Sequence, residues 1–461
     1  MVDYADFLAS KAIVDPPTGL NANVHLSAGL KDFQRDIVSW ALKRGRAAVF
    51  AGTGLGKSFM ELEWCHAINE ATGQPVLIFT PLAVAAQFVA EGRKWGIEVT
   101  HARSQSDMSG GVNVTNYEKI EHFDLSTIGA VVLDESSILK AYDGKTRTLL
   151  IEQCKQVPFR LAASATPAPN DFMELGNHAE FLGVMTYTDM LATFFTHDSS
   201  DTGQWRLRGH AEQPFWRWMC SWAVTLRKPS DLGYDNSGYD LPPLNQVEHR
   251  VGVPYEPSLE SGLLFPMEAQ SLSERLGARR GSITERVQRA ASVTPAERPF
   301  VWWCNLNSES EALCRAIDGA VEVRGSDSEK DKERKLADFA AGKIRVLVTK
   351  PSICGWGLNW QHCADTGFVG LSDSFEQIYQ AIRRFWRFGQ TRPVTAHFIA
   401  AETEGAVVAN IRRKEQQADH MVASMIEHMR DLNSAEIHGM TRDRASYVPT
   451  AKMGVPKWLA A

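Results

Sequence analysis

No apolar run in the 461-residue chain approaches the ~20 residues that a membrane-spanning helix needs. The apolar runs, such as Val76-Leu77-Ile78-Phe79, are short, and no membrane partner is expected. Low-complexity tracts and short-period repeats are also missing, which excludes fibrous and solenoid architectures. An excess of positive charge is missing too: 49 Lys and Arg stand against 55 Asp and Glu, a net charge of -6. That excludes a globally basic nucleic-acid coat but leaves room for a local basic groove. The seven cysteines (65, 154, 220, 304, 314, 354 and 363) form no C-x-x-C pair. An odd, scattered set predicts reduced core thiols and no zinc site. Met1 to Ser10 carries Asp3 and Asp6 where a secretory signal is basic, so a cytoplasmic location is expected.

What is present is ordinary for a globular protein: 44% hydrophobic and 23% charged residues. The length suggests about two or three domains. Short apolar runs alternate with helical patterns. Strands are predicted at Ala47–Phe50, Val76–Phe79, Val112–Val114, Ala130–Leu133 and Phe159–Ala163. Helical patterns at Phe59–Ile68 and Val84–Trp95 lie between them. Runs without strict alternation suit parallel strands covered on both faces. The rhythm fades after Asn170, and residues 181–235 read as an aromatic-rich helical insertion ending in a linker. It returns at Val301–Trp303, Val321–Val323, Arg345–Val348, Gly367–Gly370 and Thr395–Ile399. The expected fold is therefore α/β, with two parallel-sheet lobes and a helical connecting region. The expected boundaries are an N-terminal segment (1–24), a first lobe (25–180), the insertion (181–235), a linker with the helical start of the second lobe (236–298), the second lobe (299–405) and a C-terminal helix and tail (406–461).

Ala51-Gly52-Thr53-Gly54-Leu55-Gly56-Lys57-Ser58 falls between a predicted strand and a predicted helix, the context of a phosphate-binding loop. Backbone N–H groups of such a loop, with the helix N-terminus, cradle phosphates. Lys57 would reach the β- and γ-phosphates of ATP, and the Ser58 hydroxyl would hold Mg²⁺. The usual first glycine is Ala51 here. Val131-Val132-Leu133-Asp134-Glu135 then ends an apolar strand in two acids. Asp134 would bind Mg²⁺, and Glu135 would act as general base on the attacking water.

At this point the chain resembles superfamily 2 helicases, specifically Snf-type DNA translocases, over roughly residues 25–405. Leu30-Lys31-Asp32-Phe33-Gln34 resembles the adenine-reading Q motif, with Gln34 as the reader. Thr80-Pro81-Leu82-Ala83-Val84, followed by Gln87-Phe88 and Lys94-Trp95, resembles motif Ia, and Val114-Thr115-Asn116-Tyr117-Glu118 motif Ib. Ser164-Ala165-Thr166-Pro167, with Asn170 and Glu174-Leu175, resembles motif III and its trailing helix. Gly355-Trp356-Gly357-Leu358-Asn359 resembles motif V. Gln380-Ala381-Ile382-Arg383-Arg384-Phe385-Trp386-Arg387-Phe388-Gly389-Gln390 resembles motif VI. The resemblance implies two RecA-like lobes and places Gly357 with the ATP-binding residues and Gln380 with the catalytic set. Motif II reads Asp-Glu-Ser-Ser, where many relatives read Asp-Glu-Ala-His. No chromatin-reading module accompanies the motor, which suits a minimal viral or bacterial type.

Arg384 and Arg387 are three residues apart, a spacing that shares one face of a helix. From the second lobe they would approach the γ-phosphate as arginine fingers. A translocase grips backbone rather than bases, so Pro81, Thr115, Asn116, Thr349 and Lys350 are the expected nucleic-acid contacts. Residues 271–290 hold five arginines against two glutamates, a phosphate-contacting stretch or a solvated helix face. Trp356 and Trp360 read as core, with base stacking as the alternative.

The function expected is a nucleic-acid-dependent ATPase that translocates on duplex DNA, using ATP and Mg²⁺. A single-stranded track, or strand separation on DNA or RNA, is the alternative within that class. From other classes, a one-lobe nucleotide enzyme leaves Gln380, Arg384 and Arg387 without a role, and an ATP-gated clamp with negligible turnover leaves Glu135 without one, while a partner-dependent ATPase is a further alternative. Protein partners in replication, recombination, repair or restriction are left open by the sequence, and no nuclease motif is present.

Overall fold

The computed structural model describes residues 15–20, 24–81, 84–140, 144–168, 171–198, 201–252, 280–354, 360–371, 374–402 and 405–437. Fifteen strands are described among them: β1 (Arg46–Ala51), β2 (Val76–Thr80), β3 (Val99–His101), β4 (Val112–Asn116), β5 (Ala130–Asp134), β6 (Phe159–Ser164), β7 (Phe195–Asp198), β8 (Asp201–Leu207), β9 (Ala223–Leu226), β10 (Leu244–Val251), β11 (Phe300–Cys304), β12 (Ala320–Glu322), β13 (Val346–Thr349), β14 (Asp365–Val369) and β15 (Val394–Ala401).

They form two parallel sheets and one antiparallel hairpin, β7–β8. The first sheet runs β3-β4-β2-β5-β6-β1-β9 and the second β10-β15-β14-β11-β13-β12. Every strand predicted above forms, within a residue or two at each end. The strands β2, β4 and β5 are buried along their whole length, as strands covered by helices on both faces are; β2 and β5 are mostly apolar, whereas β4 (VNVTN) buries Asn113, Thr115 and Asn116. The α/β expectation with two parallel sheets therefore holds.

The boundaries differ in two places. Residues 181–235, expected as a helical insertion of the first lobe, are not helical throughout. They include the β7–β8 hairpin and β9, which pairs with β1 and completes the first sheet. Trp216, Trp218 and Trp222 lie in the first lobe's core. The stretch 236–298 is not only linker and helix, because β10 pairs with β15 over eight positions at the edge of the second sheet. The helix Ile283–Val293 follows it, and 253–279 fall outside the described residues.

Beyond β15 the Gly405–Ile437 helix spans both lobes. Its Val407, Ile411 and Ala418 pack in the second lobe's core, and its Met421, Met425 and Met429 in the first lobe's. A stripe at i, i+4 and i+8 is what one helix face presents to a core. Six of the seven free cysteines are buried and Cys314 is half-buried. Among the described residues, no helix is long and apolar enough to cross a membrane.

Candidate nucleotide site between the lobes

The glycine-rich loop leaves the carboxyl end of β1, and the acidic pair leaves that of β5, with β6 between them. Two inter-strand spacings put these ends roughly 10 Å apart on the edge where open α/β sheets bind ligands. The loop is shaped by Gly54 (φ 88°) and Gly56 (φ 79°), both left-handed. Space is short as well: a Cβ on Gly54 would meet the Phe388 backbone nitrogen at 2.7 Å, and one on Gly56 would meet Gln34 Nε2 at 2.3 Å. Gly56 caps the Lys57–Thr72 helix, so that helix's free N–H groups point into the loop. The Lys57 ammonium donates to the Ala51 carbonyl at 3.0 Å, across the hollow a phosphate would fill.

Asp134 and Glu135 enter the same cleft of about 350 Å³, with Gln34, Thr53, Lys57 and Ser58 along the first-lobe wall. Burial and the neighbouring Glu135 push Asp134 up to about 8, while Lys57 and Arg384 oppose the shift. Glu61, on the Lys57–Thr72 helix, is buried with no partner for either carboxylate oxygen. Burial and Asp134 push its carboxyl well above the usual range. Glu135 Oε2 is buried and unpartnered too. This cluster of acids is short of positive charge, the condition under which a divalent cation is held.

The opposite wall comes from the second lobe. Arg384 and Arg387 both line the cleft. They do not share a helix face, because the Phe375–Ile382 helix ends before them and they sit on the turn that follows. The Gln390 side chain holds that turn, donating to the Gln361, Cys363 and Phe385 carbonyls and accepting from the Thr391 and Arg392 amides. Burial and Arg387 push Arg384 down to about 9, against the pull of Glu135 and Asp134. Burial lowers Arg387 as well, with Glu91 opposing. Gln380 is fully buried, outside the cleft lining, and accepts from Arg384 Nη2 at 3.1 Å. Its place is behind an arginine rather than in the cleft.

The remaining expected residues are placed as follows. Gln34 donates to the Leu55 carbonyl at 2.8 Å and accepts from the Lys31 amide at 2.9 Å, so it bolts the Asp32–Arg44 helix to the loop. Among the expected nucleic-acid contacts, Thr115 and Thr349 are buried at strand ends, and the Thr349 hydroxyl donates to the Val323 carbonyl. Neither presents surface to a phosphate in this form. Asn116 is buried with an unpartnered Oδ1; Pro81 and Lys350 are half-buried at the ends of β2 and β13. Gly357 and Trp356 lie outside the described residues. Trp360 is core, packed against Trp303 and Phe339. In the arginine-rich stretch, Arg286 is fully buried and paired with Glu309 at 2.7 Å, so it contacts no phosphate; 275 and 279 are outside the described residues.

Sequence reasoning missed several residues here. Glu91 reaches the cleft from the Ala85–Trp95 helix, beside Gln87 and Lys94, which the motif Ia resemblance includes without a place in the cleft. Tyr239, in the stretch read as linker, stacks on Phe388 at 4.8 Å between the lobes. Lys140 also forms an ion pair with Glu376 across the lobes.

No protein-family model matches the chain. The chain is similar to "Putative protein p41" of Acyrthosiphon pisum secondary endosymbiont phage 1, at 24% identity over 464 residues that cover 84% of this chain and 96% of that protein. That name states no activity.

Proposed function

We propose that the chain is an ATP-driven nucleic-acid motor with two RecA-like lobes, of the superfamily 2 helicase type, translocating on duplex DNA. The observation that carries this reading is the shared cleft: a phosphate loop and two acids from one sheet face two arginines from the other. A one-lobe nucleotide enzyme has no use for the second wall.

In this reading the loop amides and Lys57 bind the ATP phosphates. Ser58 and Asp134 hold Mg²⁺, and the uncompensated acids around them fit a cation. Bound Mg²⁺ supplies charge neutralisation on the phosphates. Glu135 takes a proton from the attacking water, and Arg384 and Arg387 stabilise charge on the transferring phosphoryl group. Because the arginines belong to the other lobe, hydrolysis depends on lobe position, which converts turnover into movement along a track.

The test is steady-state ATP hydrolysis with Mg²⁺, titrated with duplex DNA, single-stranded DNA and RNA, with Glu135→Gln as the blank. Stimulation by duplex DNA supports the reading. Stimulation by a single strand or RNA alone keeps the motor and overturns the duplex track. No stimulation by any of them removes the nucleic-acid track.

A further inference from the structure

Among the described residues, Glu135 is the non-glycine residue with positive φ, at 57°. A side-chain-bearing residue in the left-handed region is strained, and such strain persists only where the surroundings over-determine it. Two buried contacts flank it. On one side the Tyr117 hydroxyl donates to the Asp134 carbonyl at 2.6 Å. On the other, Ser136 Oγ and His178 Nε2 lie 3.1 Å apart, both residues fully buried.

The ring is bonded at both nitrogens: Nδ1 lies 3.4 Å from the Glu174 carbonyl, and Nε2 faces Ser136 Oγ, with the Ser136 carbonyl also bonding the ring. Burial keeps the ring neutral, pushing it down to about 4. The ring is fixed by its surroundings: Phe50, on β1 just before the phosphate loop, packs edge-on against it at 5.3 Å. Asn177, next to it on the Leu175–Leu182 helix, donates to the Lys140 carbonyl at 3.3 Å, beyond Ser136 in the chain. The helix that trails β6 is thus bonded to both ends of the short 3-10 helix Ser136–Lys140.

We propose that His178 is a positioning residue for hydrolysis: through its bond to Ser136 it holds the left-handed turn that aims the Glu135 carboxylate into the cleft. This rests on the ATPase reading above. His178 does not line the cleft. Its loss misplaces the general base and leaves the phosphate loop intact.

The test uses the full chain and three variants. His178→Phe keeps the ring volume and removes both ring nitrogens. His178→Gln returns an amide that can donate or accept near the Nε2 position. Ser136→Ala removes the hydroxyl. For each, kcat and KM for ATP are measured with duplex DNA, alongside ATP affinity and thermal melting. The expected result is a kcat about tenfold to a hundredfold lower in His178→Phe and Ser136→Ala, the scale of a displaced catalytic group. KM and ATP affinity stay within about twofold of wild type. His178→Gln regains most of the turnover, and the Ser136→Ala/His178→Phe double variant is no slower than either single one. Folded variants with wild-type kcat overturn the proposal, as does a rise in KM with kcat unchanged. If His178→Phe fails to fold, Ser136→Ala decides. A wild-type chain that hydrolyses no ATP overturns the ATPase reading itself, whereas an active wild type with indifferent variants overturns this inference alone.

Discussion

On the first-lobe side of the cleft, Lys57, Asp134 and Glu135 follow directly from the carboxyl ends of β1 and β5, buried parallel strands paired on both sides. On the second-lobe side, Arg384 and Arg387 sit on a turn beyond the end of a helix, held by the side chains of Gln390 and Gln380. The acid wall is thus carried on a backbone ladder, and the arginine wall on a turn in which backbone bonds, such as the Arg384 amide to the Ala381 carbonyl and the Trp360 amide to the Arg384 carbonyl, act together with those side chains. In the proposed motor, coupling hydrolysis to movement requires the second wall to change position relative to the first. The single strained point on the acid wall is Glu135, where a side-chain bond takes over from the ladder.

Glu135→Gln should break the acid wall, and of the variants that act on that wall or on the helix between the lobes it has the largest effect. Turnover with duplex DNA is expected to fall about 10²- to 10⁴-fold, the worth of a general base, with the melting temperature unchanged. Steady-state hydrolysis and a thermal melt check both halves.

The next effect comes from acid. His178 has an ordinary value of 6.5 and is held at about 4 in the fold. A depressed folded value means the unfolded chain takes the proton first. Stability is therefore whole above pH 6.5 and is lost as pH falls toward 4, by about 3 kcal/mol from this residue. Urea unfolding of wild type and His178→Gln across that range should show the wild type losing more. Parallel pH profiles would contradict the burial.

Gln390→Ala should loosen the arginine wall. Three carbonyls and two amides lose a buried partner, at about 1–3 kcal/mol. ATP affinity should hold while turnover falls, the opposite of what a variant in the phosphate loop does. Urea midpoints and an ATP titration separate the two.

The smallest effect is expected at the helix that spans the lobes. Arg227 donates to Asp419 on that helix, but the pair is exposed. Arg227→Ala should therefore cost below about 1 kcal/mol, and less at high salt. A larger loss would show that the helix is held by charge and not by its methionine stripe.

Much of the acid wall was legible in the sequence, because apolar runs ending in Gly-x-Gly-Lys-Ser or Asp-Glu carry strand, turn and chemistry together. The arginine wall was legible in its residues but not in its shape. The three-residue spacing suggested a helix, and the turn depends on Gln390 reaching carbonyls up to 29 residues away. β10 (LNQVEHRV) escaped because it is an edge strand with mostly half-exposed side chains, so it carries no apolar run. β9 is four residues long, and the tryptophans before it suggested a helical unit rather than the core of the first lobe. His178 lies 42 residues beyond Ser136, so nothing local links the pair. The methionine stripe at 421, 425 and 429 marks a buried face, but spacing alone does not say which lobe it meets.

The central claim is that arginines of the second lobe complete an ATP site built by the first. It is tested most directly by comparing ATP turnover and ATP affinity of wild type and Arg387→Ala at saturating duplex DNA. The account predicts that turnover falls about 10³- to 10⁵-fold while ATP still binds to the first lobe. An Arg387→Ala variant that hydrolyses ATP at the wild-type rate would contradict it.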